Sequence, residues 1–210
     1  MILTDMRAIV RRDLHDEDSG NYRWVDNEID RHIAHALKDF SEALPLQQKA
    51  ALATVSGSRE ITITSLTNRV MIESVEYPVG QFPASYQRFA LWNDILTLLG
   101  IDVPDGSNCY IYYGKLHTLD GSSSTIPTQH EDLVATGAVG YAAAQQAGYA
   151  INQVNTGGTG TPENWENWGQ KRINFFRSEL KRLGRHNRMR VSQLYTPYNP
   201  IVSKTTDYGP

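Results

Sequence analysis

Cysteine is all but missing: the 210 residues hold one, Cys109. A lone cysteine excludes an internal disulfide framework and a zinc site built on cysteine alone. Long hydrophobic runs are missing as well. No stretch nears the roughly 20 apolar residues of a membrane helix, and mean hydropathy is -0.44. The opening MILTDMRAIVRRDL carries Asp5, Arg7, Arg11, Arg12 and Asp13 where a secretory signal needs an unbroken apolar core. The expectation is a soluble protein that is not exported by the usual route, does not enter a membrane and is not stapled by disulfides. Its length suits one domain, or one domain with a sizeable insertion, at roughly 100–200 residues per domain.

The chain also has little that carries chemistry. Gly157, Gly158 and Gly160 lie in a connector with no strand before them and no Lys-Ser/Thr pair behind, so they do not form a phosphate loop. His32 and His35 share a helix face near Asp39, but no third ligand cluster accompanies them. His130-Glu131-Asp132 reads as the first turn of a helix, where acids are common. Cys109 falls in an apolar strand pattern without a basic neighbour to activate it. Asp16, Glu17 and Asp18 lack the spacing of a calcium loop. No nucleophile–base pair and no metal set emerges, so the sequence predicts no enzyme, no catalytic residue, no cofactor and no metal.

What is present is an uneven charge. Between Lys171 and Arg190 eight cations face the single Glu179, a net of +7, which leaves -10 on residues 1–170 and a neutral last twenty. An acidic body with one basic segment points to a directed contact with an acidic protein or nucleic-acid surface. Lys171, Arg172, Lys181 and Arg182 are the candidate phosphate contacts. Trp165, Trp168 and Phe176 are interleaved with this basic segment and could stack on bases. Their spacing also fits the inward side of the same helix.

Periodicity divides the chain. Residues 4–14 and the stretch from Asp26 to Pro45 keep helical spacing, with Asp26 expected as a cap and Trp24 as a staple against the second helix. After Gln47-Gln48-Lys49-Ala50, a small-residue stretch reads as a connector. From residue 60 the period changes to two. EITITSL, RVMIESVEYPV, FALWNDILTLLG and NCYIYYGKLHTL then read as four strands of a mostly antiparallel module. Thr128 and Glu131 have capping-box spacing ahead of an Ala/Gly-rich helix whose small side chains suit close packing on several sides. Thr161-Pro162-Glu163 opens a last helix that Gly184 is expected to stop. From Arg185 onward, prolines and tyrosines suggest an extended tail that orders on a partner.

Three segments carry a resemblance. RWVDNEIDRHIAHALKDFSEALP (23–45) sets a tryptophan and acids before a helix. The block from Val75 to His117 holds Tyr77-Pro78, then Ser85-Tyr86-x-x-Phe89, then a final aromatic strand. TIPTQHEDLVATGAVGYAAAQQ (125–146) is an Ile-Pro followed by a packing helix. In this order they resemble bacteriophage head–tail connector proteins, the adaptor ring below the portal, over about half of the chain. The resemblance implies a virion protein of the neck, made in the host cytoplasm. It implies assembly into a homo-oligomeric ring, commonly of twelve copies, contact with the portal protein and with the next tail or neck protein, and transient DNA in the channel. It also implies a C-terminal extension into the portal, which would make Arg185, Arg188, Arg190, Leu194, Tyr195, Pro197, Tyr198, Pro200 and Ile201 portal-binding residues. The fold expected is α+β: a four-helix core (1–59 and 120–184), an inserted four-stranded antiparallel β module (60–119) and an extended C-terminal tail (185–210). Two rival readings remain, a lower-neck or tail-completion protein, and a DNA-binding module using residues 171–190.

Overall fold

The computed structural model describes residues 1–100, 103–151 and 161–193, with side chains as far as Arg188. The fold is α+β, with four helices, a four-stranded sheet and a second, three-stranded sheet among the described residues. The chain divides into two compact units. One holds Met1–Leu46 and Leu116–Gly184; the other holds Gln47–Lys115 and, among the described C-terminal residues, those from Arg185.

In the first unit, α1 (Leu3–Leu14) buries Met6, Val10 and Leu14 at helical spacing. Helix α2 (Asp26–Ala43) buries Ile29, Ile33, Ala36 and Phe40. Its start differs from the expectation at Asp26. Val25 precedes the helix and its N–H donates to the Glu28 carboxylate at 3.0 Å. The Asp26 carboxylate instead accepts from Arg7 at 3.2 Å and Arg11 at 2.7 Å. Trp24 is buried and meets the Trp165 ring edge-on at 5.9 Å.

Helix α3 (Glu131–Ala150) is buried on most sides from Val134 to Ala143. The expected capping box is absent: Thr128–His130 forms a 3-10 turn, and Glu131 takes a hydrogen bond from the Met1 ammonium at 3.0 Å. Helix α4 (Pro162–Gln193) lies so close to α3 that a Cβ on Gly137 would stand 2.8 Å from the Phe176 ring. The glycines of α3 are what permit that approach.

Helix α4 also corrects the boundary at Gly184. A glycine stop needs a left-handed backbone, and Gly184 is not among the glycines with positive φ. It is a helical residue where the α4 backbone passes the end of α2, its Cβ position 3.6 Å from the Ala43 carbonyl oxygen. Residues 185–193 therefore continue the helix. The rest of the expected extended tail lies outside the described residues.

In the second unit one sheet has the order β1-β7-β3-β4, from β1 (Leu46–Ala53), β3 (Arg69–Glu76), β4 (Tyr86–Gln87) and β7 (Asn108–Lys115). The other has the order β2-β6-β5, from β2 (Glu60–Thr62), β5 (Phe89–Trp92) and β6 (Ile95–Leu98). Ile61, Leu66, Val75, Leu96, Leu98 and Ile111 form its core together with Cys109. Two strand expectations are corrected. Strand β1 runs from Leu46 to Ala53 and so takes in the start of the expected connector: its Gln, Lys and Ala residues have low strand propensity, and pairing with β7 overrides it. FALWNDILTLLG is a hairpin, not one strand. Asn93 takes φ 52° in its turn, and Asp94 is held by Arg69 at 2.7 Å.

Candidate functional surface

Helix α4 begins where the Asn164 N–H donates to the Thr161 hydroxyl at 3.2 Å, with Pro162 in the first turn. Ile173, Phe176 and Leu180 repeat at three- and four-residue intervals and are buried, so the opposite side of the helix faces outward. That side carries Lys171, Ser178, Arg182 and Arg185, flanked by Lys181 and Arg188, all exposed. Phe175, 57% exposed, stands among them. At about 1.5 Å per residue this stripe runs for roughly 25 Å.

The candidate phosphate contacts do not all stand alike. Lys171 and Lys181 are exposed. Arg182 is forked onto Glu179 of its own helix at 2.7 and 2.9 Å. Arg172 is half-buried, paired with Asp13 at 2.8 Å and set over the Trp168 ring at 4.9 Å. An arginine so held ties α4 to α1 and has little reach toward another molecule. Trp165 and Trp168 are half-buried, Trp165 against Trp24, and Phe176 is fully buried. These rings are packing groups and do not form a stacking platform.

Of the candidate portal contacts, Arg185 and Arg188 lie exposed near the end of α4, and Arg190 falls within the same helix. Leu194, Tyr195, Pro197, Tyr198, Pro200 and Ile201 lie outside the described residues.

The acidic groups of α1 and α2 are largely engaged. Arg11, 6% exposed, donates to Asp16 at 2.7 Å, to the Trp24 carbonyl at 3.0 Å and to Asp26. Asp16 also accepts the Arg23 N–H at 2.7 Å. This carboxylate organises the loop between the two helices. The hydrogen bond from Arg11, together with the positive charges of Arg7 and Arg11, holds the Asp26 carboxyl below its ordinary range despite some desolvation. The His32 ring is buried and bonded to Gln145, and burial pushes its pKa down. His35 stacks on Tyr141 at 4.0 Å. The Tyr141 hydroxyl donates to Asp39, and burial with that carboxylate pushes its pKa up to about 12. Among the described residues no group of three or more His, Cys, Asp or Glu side chains is placed to hold a metal ion. Nor is any helix among them long and apolar enough to cross a membrane.

Sequence reasoning passed over one surface. In the four-stranded sheet Val75 and Ile111 face the core as a pair, so the neighbouring pairs Ser74–Tyr112 and Glu76–Tyr110 share the other face. Tyr86 joins them opposite Glu76, and the Lys49 ammonium sits 3.6 Å over the Tyr110 ring. The alternation Tyr110-x-Tyr112 was the available signal. The second unit also exposes Trp92 at 84% and Phe82 at 93%.

No family model and no curated protein sequence matches this chain.

Proposed function

We propose that this chain is a structural subunit of a bacteriophage head–tail adaptor ring, joining a portal to the tail and extending the DNA channel. The observation that carries the reading is the order of elements. A four-helix unit is interrupted between α2 and α3 by a β unit, and its last helix leads, with an exposed cationic side, toward the C-terminal residues. This is the order that the resemblance implies. The reading asks for docking and not for a chemical step, and it assigns no catalytic residue. Opposite charges on separate parts of one subunit can pair head to tail around a closed ring. The partners proposed are the portal protein, neighbouring copies, the next neck or tail protein and DNA in transit. The place is the virion neck.

The test is co-sedimentation with the portal of the same phage. The full chain is compared with a truncation after Gln193, which keeps the whole of α4. Binding at fixed stoichiometry by the full chain alone makes the residues after Gln193 the docking element. Equal binding by both moves docking to the folded units. Failure of both overturns the portal-adjacent reading.

The exposed cations of α4 favour one second reading, a DNA-binding module. Duplex affinity would then fall steeply with salt, by a log–log slope of about 0.9 per phosphate contacted. Binding that persists at high salt, or none at low salt, removes it.

A further inference from the structure

The three-stranded sheet has an open edge. Its order β2-β6-β5 leaves β5 (Phe89–Trp92) paired on one side only. The Leu99 N–H donates to the Arg88 carbonyl at 2.8 Å, so Arg88 opens the ladder to β6, and Ala90 and Trp92 continue it at alternate places. Leu98 turns the other way and donates to the Arg59 carbonyl on the β2 side at 2.9 Å. The N–H and C=O groups of Phe89 and Leu91 therefore point outward, and no backbone group meets them among the described residues. Ala90, Leu91 and Trp92 are exposed, Trp92 at 84%. An open edge without charge, proline or bulge is one that proteins ordinarily guard. We propose that β5 is a self-pairing edge: it binds β5 of a second copy of this chain, antiparallel, about a two-fold axis through Ala90.

Backbone geometry fixes the register. An added strand bonds only where groups point outward on both sides. An axis through Ala90 sets Phe89 against the partner's Leu91 and Leu91 against the partner's Phe89. Each pair then exchanges both of its N–H···O=C bonds, and every outward group is used. An axis through Phe89 would call on Gln87, which is already paired with Val75 in the other sheet. An axis through Leu91 would call on Asn93, whose φ of 52° takes it out of the strand and whose carbonyl accepts from Arg69 at 2.9 Å.

The side chains single out a second copy, because in this register the edge is its own complement. Leu91 lies opposite the buried Leu96, so Arg88, Ala90 and Trp92 share the other, open face of the sheet. At the axis Ala90 meets the partner's Ala90 as a non-hydrogen-bonded pair, the closer kind at about 4.5 Å between Cα atoms, and its methyl group leaves room for that approach. Arg88 meets the partner's Trp92, and Trp92 the partner's Arg88. Arg88 is exposed and joins no ion pair among the described residues. Trp24, Trp165 and Trp168 each pack against another ring, whereas Trp92 has no such neighbour among the described residues. A guanidinium over an indole face is an attractive cross-strand pair, and symmetry makes it twice. The contact is small beside the roughly 800 Å² per partner of a stable interface, so the dimer depends on concentration. A two-fold contact closes on itself and builds no ring, which makes the inference independent of the adaptor reading.

The first arm of the test is sedimentation velocity of the full chain over a range of concentrations. A monomer–dimer equilibrium is expected. Ala90→Lys sets two ammonium groups against each other at the axis and weakens the dimer by about tenfold or more. Arg88→Glu weakens it by taking the cation from the indole, and adding Trp92→Lys to Arg88→Glu sets opposite charges across the axis and restores it. Thermal melts confirm that the variants fold. A chain that stays monomeric at every concentration, or self-association that ignores Ala90→Lys, overturns the proposal. Failure of the double variant to restore association overturns the register about Ala90. The second arm is oxidative crosslinking. Cys109 is buried, so in Ala90→Cys the introduced thiol is the one that reacts. Paired Cα atoms about 4.5 Å apart suit a disulfide. Covalent dimers are expected from Ala90→Cys and not from Thr62→Cys, which lies on the same face at the opposite edge of the sheet. Equal crosslinking of the two would mean a face-to-face stack and overturns pairing at the edge.

Discussion

At the scale of single residues, several polar side chains are buried and serve to join elements. Arg11 illustrates the principle. Its guanidinium reaches two carboxylates and a carbonyl, so one side chain from α1 fixes both the loop and the start of α2. His32 bears on pH. It is 3% exposed, and burial lowers its pKa from the ordinary 6.5, against the opposing hydrogen bond that the ring donates to the Gln145 side-chain oxygen and the charge of Glu28, while Arg31 and His35 lower it further. The unfolded chain therefore takes up this proton before the folded one as pH falls. The stability that neutral His32 contributes is full above about pH 6.5 and is lost below it. Urea midpoints at pH 7.5 and pH 5 should show a smaller loss in His32→Asn, which keeps a polar partner for Gln145 but cannot charge. Equal losses in the two proteins would remove His32 from the acid response.

At the scale of elements, helices α1, α2 and α3 were legible because their apolar spacing is regular and their ends are marked. The errors have particular causes. Thr128 and Glu131 have capping-box spacing, but a carboxylate answers to the nearest strong donor, and for Glu131 that is the Met1 ammonium. Strand β1 is written in Gln, Lys and Ala, and only its pairing with β7 makes it a strand. The outer face of the sheet could not be read as a site because register, and the bulges within it, decide which tyrosines stand beside Ser74 and Glu76. The cations of α4 were legible, but the partners that hold Arg172 and Arg182 were only partly so: Glu179 is local to the helix, and Asp13 lies far away in sequence. Gly184 has the position of a helix stop, and sequence alone does not distinguish a left-handed glycine from a helical one. The structure makes this testable. Gly184→Ala adds a Cβ 3.6 Å from the nearest atom, an ordinary contact, in a helical backbone. It should raise stability by about 0.5–1 kcal/mol in a denaturant melt. A drop of similar size would mean that the helix ends there after all.

At the scale of the whole molecule, the described residues form two separate hydrophobic clusters. One is built around Met6, Phe40, Val139 and Phe176, the other around Ile61, Leu96, Cys109 and Ile111. Separate cores need not unfold together, since cooperativity is carried by shared packing. The residues supply a reporter for each. Cys109, the only thiol, is fully buried in the second cluster, and burial raises its pKa, so its alkylation awaits opening of that unit. Trp24 is buried in the first cluster, with Trp165 and Trp168 packed against it, and Trp92→Phe removes the one tryptophan of the second. In that background Gly137→Ala forces a Cβ to within 2.8 Å of the Phe176 ring, an overpacking that costs about 1–3 kcal/mol. If the clusters open independently, Gly137→Ala moves the urea midpoint of tryptophan fluorescence downward and leaves the midpoint for Cys109 alkylation where it was. A joint shift of both curves by the same amount would instead make the chain one cooperative body. Damage to the helical core would then reach the β unit through folding alone. The two outcomes set different rules for reading any variant of that unit: in the first its effect is local, and in the second it must be corrected for global stability before any residue is credited with it.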